Sequence, residues 1–111
     1  SSPGITRCAT HAFETLGERA PDTAALLGWI GPPLRVSFGS VLGDPVRVEQ
    51  ALAAYRERYE AMGWTEHTVY PGIDDAIVAL KAAGYRLAVV TAKNEAHARK
   101  IVAHLTFGAA F

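Results

Sequence analysis

The sequence predicts an α/β fold in two zones: helices through residues 1–63, then helix, buried strand and helix after a polar link. Three observations carry that prediction. Apolar residues recur at three- and four-residue spacing through the first zone, the mark of amphipathic helices. The run Leu87-Ala88-Val89-Val90 is apolar on both faces, as in strands covered by helices on each side. Glycine and proline stand where one element gives way to the next.

The elements follow in order. Ile5, Cys8, Ala9, Ala12, Phe13 and Leu16 make one helical face, and Gly17 ends it. Pro21-Asp22 opens a short helix through Leu26 and Leu27. Trp29-Ile30-Gly31-Pro32-Pro33 breaks it, because neither proline supplies an N–H. Pro33 can begin the next helix, with Leu34, Phe38, Val41 and Leu42 inward, and Gly43-Asp44-Pro45 is a stop, a cap and a restart. The longest helix runs from about Pro45 to Met62. Its stripe is Val48, Leu52, Tyr55, Tyr59 and Met62, with Arg47, Arg56, Glu57, Arg58 and Glu60 facing water. Short connections favour an antiparallel bundle.

Trp64 to Tyr70 is polar and reads as a linker. Pro71-Gly72 turns into a helix from Ile73 to Ala83, with Ile77, Val78 and Leu80 inward, and Gly84 stops it. The strand follows, and Asn94 can cap a last helix from Glu95 to about Leu105. Helix, strand, helix is the start of a doubly wound core. A lone strand leaves its N–H and C=O groups unpaired on both edges. The chain is therefore expected to pair with another one or to be a piece of a longer protein, and we favour the piece.

Composition narrows the classes. Eleven Lys and Arg balance eleven Asp and Glu, so no basic stripe argues for nucleic acid. No apolar run is long enough to suggest a membrane span. Cys8 is the one cysteine, which excludes a disulfide framework and a zinc set. No signal peptide is visible, and the cytoplasm is the default location.

The strand's carboxyl end is the place for chemistry, since ligands of open α/β sheets bind there. Thr91 stands at that edge, Lys93 follows, and a helix N-terminus comes next. A hydroxyl, an ammonium and free helix N–H groups favour an anion, most naturally a phosphate. The bland alternatives are an ordinary strand-terminal threonine and a solvated lysine. Asp74-Asp75 lies in a helix's first turn, where acids suit the dipole, and adjacent helical residues point apart. His97 and His104 are about 10 Å apart along one helix, too far to share a metal. His11 and His67 have no partner at ligand spacing, and Cys8 falls on the apolar stripe.

Several words of the sequence, in their order, resemble the haloacid dehalogenase superfamily of hydrolases, in its phosphoglycolate-phosphatase and 5′-nucleotidase-like branch. They are Trp29-Ile30-Gly31-Pro32-Pro33-Leu34 with Ser37-Phe38, Tyr55-Arg56 with Tyr59, and Tyr70-Pro71-Gly72-Ile73. Leu80-Lys81, Gly84-Tyr85 and Leu87-Ala88-Val89-Val90-Thr91-Ala92-Lys93 complete the set. The resemblance implies a Rossmann-like core, partial here, with an inserted four-helix cap. Residues 1–66 would be the cap, with 1–4 as its link from the core, and 67–111 the partial core. It also implies phosphoryl transfer to an aspartate nucleophile, hydrolysis of that aspartyl-phosphate, and Mg²⁺ as cofactor. The substrate would be a small phosphorylated metabolite, phosphoglycolate or a nucleoside 5′-monophosphate.

The family's DxDGT loop and its acidic metal motif have no counterpart in this sequence, so nucleophile and metal ligands are expected outside it, and the piece alone is expected to be inactive. Thr91 matches the family's second-motif threonine and Lys93 the lysine that often follows it. Ala92 would touch substrate beside them. Gly31 and Arg35 are candidates from the cap side, because a rigid Gly-Pro-Pro turn can present an arginine to an anion; the alternative is a plain helix break with Arg35 facing water. The departure is Ala92-Lys93-Asn94, where the branch more often has Ser-Lys-Pro. The rivals are a phosphomutase or dehalogenase relative, and a non-catalytic helical interaction module that pairs through its strand.

Overall fold

Two aspartates fix where helices begin in the first half of the chain. A computed structural model describes residues 2–111. Asp22 accepts the Ala25 N–H at 2.8 Å, and Asp44 accepts the Val46 N–H at 2.9 Å ahead of Pro45. Each side chain satisfies a donor that the first helical turn leaves unpaired. The helices are α1 (Ser2–Thr15), α2 (Thr23–Leu27), α3 (Leu34–Leu42), α4 (Pro45–Ala61), α5 (Ile73–Ala82) and α6 (Glu95–His104). Short 3-10 turns cover Gly63–Thr65 and Gly108–Ala110. The chain divides into two compact units between His67 and Thr68. Ser1, in the segment expected to link cap and core, lies outside the described residues. No helix among the described residues is long and apolar enough to cross a membrane.

In the first unit, α1 packs on α4, and α3 on α4. Phe38 of α3 is fully buried at the centre. Its ring lies 5.5 Å from Phe13 of α1, 4.9 Å from Trp29 and 6.3 Å from Tyr55 of α4, centroid to centroid. These tilted and edge-on contacts suit the ring quadrupoles and add to the burial term. Leu52 and Cys8 close the core beside them. Two expected inward residues turn out instead: Val41 and Met62 are each 49% exposed. The α3 face centres on Leu34, Phe38 and Leu42 at four-residue spacing, which rotates Val41 to solvent. Helix α4 ends at Ala61, and Met62 (φ −151°) leaves the helical path before the stripe reaches it.

Two arginines expected to face water are engaged instead. Arg47 donates to the Leu16 carbonyl at 3.1 Å and to Glu18 at 2.8 Å, closing the end of α1. The Arg58 side chain is only 16% exposed and grips both oxygens of Glu66, at 2.5 and 3.2 Å. Arg7 reaches the same carboxylate at 2.7 Å, and Arg58 also donates to the Cys8 thiol at 3.3 Å. The Gly4 N–H donates to the Glu66 carbonyl at 3.0 Å. A side chain on Gly4 would press on the Gly63 carbonyl, so only glycine admits this approach. The segment through His67, expected to be plain linker, is thus bound to α1 and α4.

The second unit lacks the strand expected of it. Residues 85–91 form no strand, and the described residues contain no β-ladder at all. A strand exists only through hydrogen bonds to a neighbour, and none of the described residues supplies one. Gly72 (φ +85°) starts α5 and Gly84 (φ +88°) follows it, each in left-handed backbone that other residues resist. The expected inner face of α5 is open: Val78 is 62% exposed, and neither α5 nor α6 buries any residue. An apolar helix face closes only against another layer, and this unit has none to offer it.

Replacing Phe38 by alanine should lower the stability of the helical unit by about 3–5 kcal/mol, read by denaturant unfolding. Glu66→Gln should cost about 1–3 kcal/mol, because two arginines lose their carboxylate. The folded chain holds Glu66 below the usual carboxylate range, chiefly through its hydrogen bonds from Arg58 and then from Arg7. Its contribution is therefore complete above the unfolded value of about 4.3 and is lost as pH falls through the lower folded value. Thermal melts of wild type and Glu66→Gln should converge on that acid limb.

Candidate functional site

The short loop before α6 gathers three of the expected residues. Thr91 ends the unpaired apolar run, Ala92 and Lys93 bend, and Asn94 caps α6. The Lys93 N–H donates to Thr91 Oγ1 at 3.1 Å. That bond uses acceptor capacity of the hydroxyl and leaves its O–H to donate, which suits an oxygen-rich anion. The carboxamide of Asn94 accepts the N–H groups of Ala96 and His97 at 2.9 and 3.3 Å. Those two helix donors are therefore already taken, and an anion here would rely on Thr91, the Ala92 N–H and the Lys93 ammonium.

Thr91 and Lys93 line an open cleft of about 770 Å³. One side is Leu87, Ala88 and Val89; the other is α6, through Ala98, Arg99 and Val102. Arg99 is held by Glu95 at 2.8 Å, one turn away on the same helix. Ala92 is exposed in the loop. Most of the cleft wall is apolar, with Thr91, Lys93, Glu95 and Arg99 as its charged or hydroxyl-bearing residues.

Gly31 and Arg35 belong to the helical unit. Gly31 (φ +110°) makes the turn between α2 and α3, a conformation that a side chain disfavours. Arg35, in the first turn of α3, forms a two-point pair with Glu49 of α4 at 2.9 and 3.1 Å. Both side chains are exposed, so the pair adds little to stability. The bonds from Arg35 nevertheless draw the Glu49 carboxyl below its usual value.

Among the described residues no three His, Cys, Asp or Glu side chains group so as to hold a metal ion. Asp74 and Asp75 stay in the first turn of α5, where Asp74 accepts the Asp75 N–H at 2.9 Å. Cys8 is sealed in the core, and burial raises its thiol pKa. Burial likewise pushes the Tyr55 hydroxyl well above its ordinary value. Neither group is a nucleophile in this setting.

Sequence comparison supplies what the geometry alone leaves open. The profile of the haloacid dehalogenase-like hydrolases matches residues 1–111. The chain belongs to that family. It is 40% identical over 105 residues to a 5′-nucleotidase of Pseudomonas aeruginosa, covering 94% of this chain and 48% of that protein. A protein of Mycobacterium tuberculosis named tyrosine-protein kinase PtkA is 35% identical over 105 residues, covering 94% of this chain and 35% of that protein. Among solved structures, a haloacid dehalogenase-like hydrolase from Streptococcus pneumoniae superposes with a TM-score of 0.89 at 32% identity. That match covers 99% of this chain and 51% of the other. The haloacid dehalogenase-like chain described here thus spans about half the length of such relatives, or less.

Sequence reasoning missed the Arg7–Glu66–Arg58 cluster. Its members stand eight and fifty-nine positions apart, which matches no helical or strand period. For Cys8, the native protein should react with a thiol reagent only at the rate of its unfolding. Fast labelling under native conditions would contradict the burial.

Proposed function

We propose that the protein containing this chain is a phosphomonoester hydrolase acting on a small phosphorylated metabolite, phosphoglycolate or a nucleoside 5′-monophosphate. In this reading residues 67–111 are part of its core and residues 1–66 its cap. The observation that carries it is the Thr91 hydroxyl, turned into a donor by the Lys93 N–H in the wall of the cleft. Family membership and the likeness to a 5′-nucleotidase support the choice of substrate class.

The residues then have separate tasks. Thr91 donates to an oxygen of the transferring phosphoryl group, and the Ala92 N–H holds a second one. Lys93 sets a cation beside the dianion. Such donors act most strongly when charge develops in the transition state, so they raise the rate more than the affinity. On the helical unit, Gly31 and Arg35 are the candidates for substrate contact. The nucleophilic aspartate and the Mg²⁺ ligands belong to residues other than these, since the described side chains do not fit a metal.

The name of the PtkA relative keeps a second acceptor in view, a protein tyrosine in place of water. The deciding assay follows phosphate release from phosphoglycolate, nucleoside monophosphates and p-nitrophenyl phosphate by the intact protein, with Mg²⁺ and with EDTA. Release that EDTA abolishes is expected. Thr91→Val should lower kcat by about 10²-fold with an unchanged melting temperature, the usual cost of one lost oxyanion donor. Silence on every phosphate ester, with ATP-dependent labelling of tyrosine, would replace the hydrolase by the kinase.

A further inference from the structure

Only Ala92 and Lys93 separate Thr91 from the cap of α6, so whatever pins that cap also sets the loop. We propose that Asn94 is a positioning residue for Thr91: its carboxamide anchors the loop that aims the Lys93 amide at the threonine hydroxyl. This rests on the phosphoryl-holding role of Thr91 given above.

The bonds run in one line. Lys93 N–H donates back to Thr91 Oγ1 at 3.1 Å, Ala96 and His97 N–H donate to Asn94 Oδ1 at 2.9 and 3.3 Å, and Ala98 N–H donates to the Asn94 carbonyl at 2.9 Å. Asn94 itself has non-helical backbone (φ −49°, ψ 132°), which lets its side chain reach over the first turn. A side chain without an acceptor at this position could not pin the turn in this way. With alanine the first turn of α6 frays, the Lys93 amide loses its fixed direction, and the Thr91 hydroxyl is free to rotate away from the phosphoryl oxygen.

The test uses the intact protein and two readouts, steady-state kinetics on p-nitrophenyl phosphate and the water-exchange rate of the Lys93 amide by NMR. Asn94→Ala should lower kcat about tenfold, the scale of one lost cap, with KM within about twofold and faster Lys93 exchange. Asn94→Ser, which also caps, should restore both. Asn94→Asp should restore slow exchange yet raise KM, because its carboxylate faces the phosphate. An Asn94→Ala protein with unchanged kcat and exchange would overturn the proposal, as would a loss that serine does not recover. Absence of activity in the wild type would instead remove the phosphatase assignment, and the exchange rates of the alanine and serine variants would still decide whether Asn94 anchors the loop.

Discussion

A backbone N–H or C=O withdrawn from water needs a partner, and helix and strand meet that need differently. An α-helix pairs its groups within itself, whereas a strand depends wholly on its neighbours. The first unit is built only of helices and caps, so it closes around its own aromatic centre at Phe38. The second holds Leu87-Ala88-Val89-Val90, a segment suited to a sheet interior, with no second strand among the described residues. The openness of α5, the exposure of Val90 (97%) and the large apolar cleft beside Thr91 all descend from that one missing layer.

Electrostatics does its structural work at the exit of the helical unit. Glu66 is gripped by Arg58 and Arg7 while its carbonyl receives the Gly4 N–H. The start of α1 and the segment after α4 are therefore tied at one point. A carboxylate only 16% exposed between two guanidinium groups is worth more than a surface pair, because water screens it less. Arg35–Glu49 shows the contrast, with the same two-point geometry but both side chains exposed to solvent.

At the loop before α6 the protein spends its polar groups on itself first. Asn94 takes the Ala96 and His97 donors and Lys93 takes a lone pair of Thr91. What that bond leaves to donate is the Thr91 hydroxyl proton. A donor fixed in direction serves an oxygen-rich anion better than several loose ones. A second layer over the apolar cleft wall would raise the strength of that donor by excluding water.

The sequence by itself determined the helices. The caps at Asp22, Asp44 and Asn94 lie where local rules put them, because a cap is a contact between residues two or three positions apart. The core positions Phe13, Phe38, Leu52 and Tyr55 were legible for the same reason, as three- and four-residue spacing brings side chains to one face. The Thr91-Ala92-Lys93 loop was legible through its local order and its likeness to the family's words. Tertiary structure alone decided the rest. Trp29 enters the core from a segment that local rules mark only as a helix break, since its place depends on a turn folding it back on Phe38. Arg58 leaves the solvent face for a carboxylate beyond the end of its own helix. Residues 85–91 join no ladder because apolar content makes a strand possible, while only a neighbouring backbone makes one real.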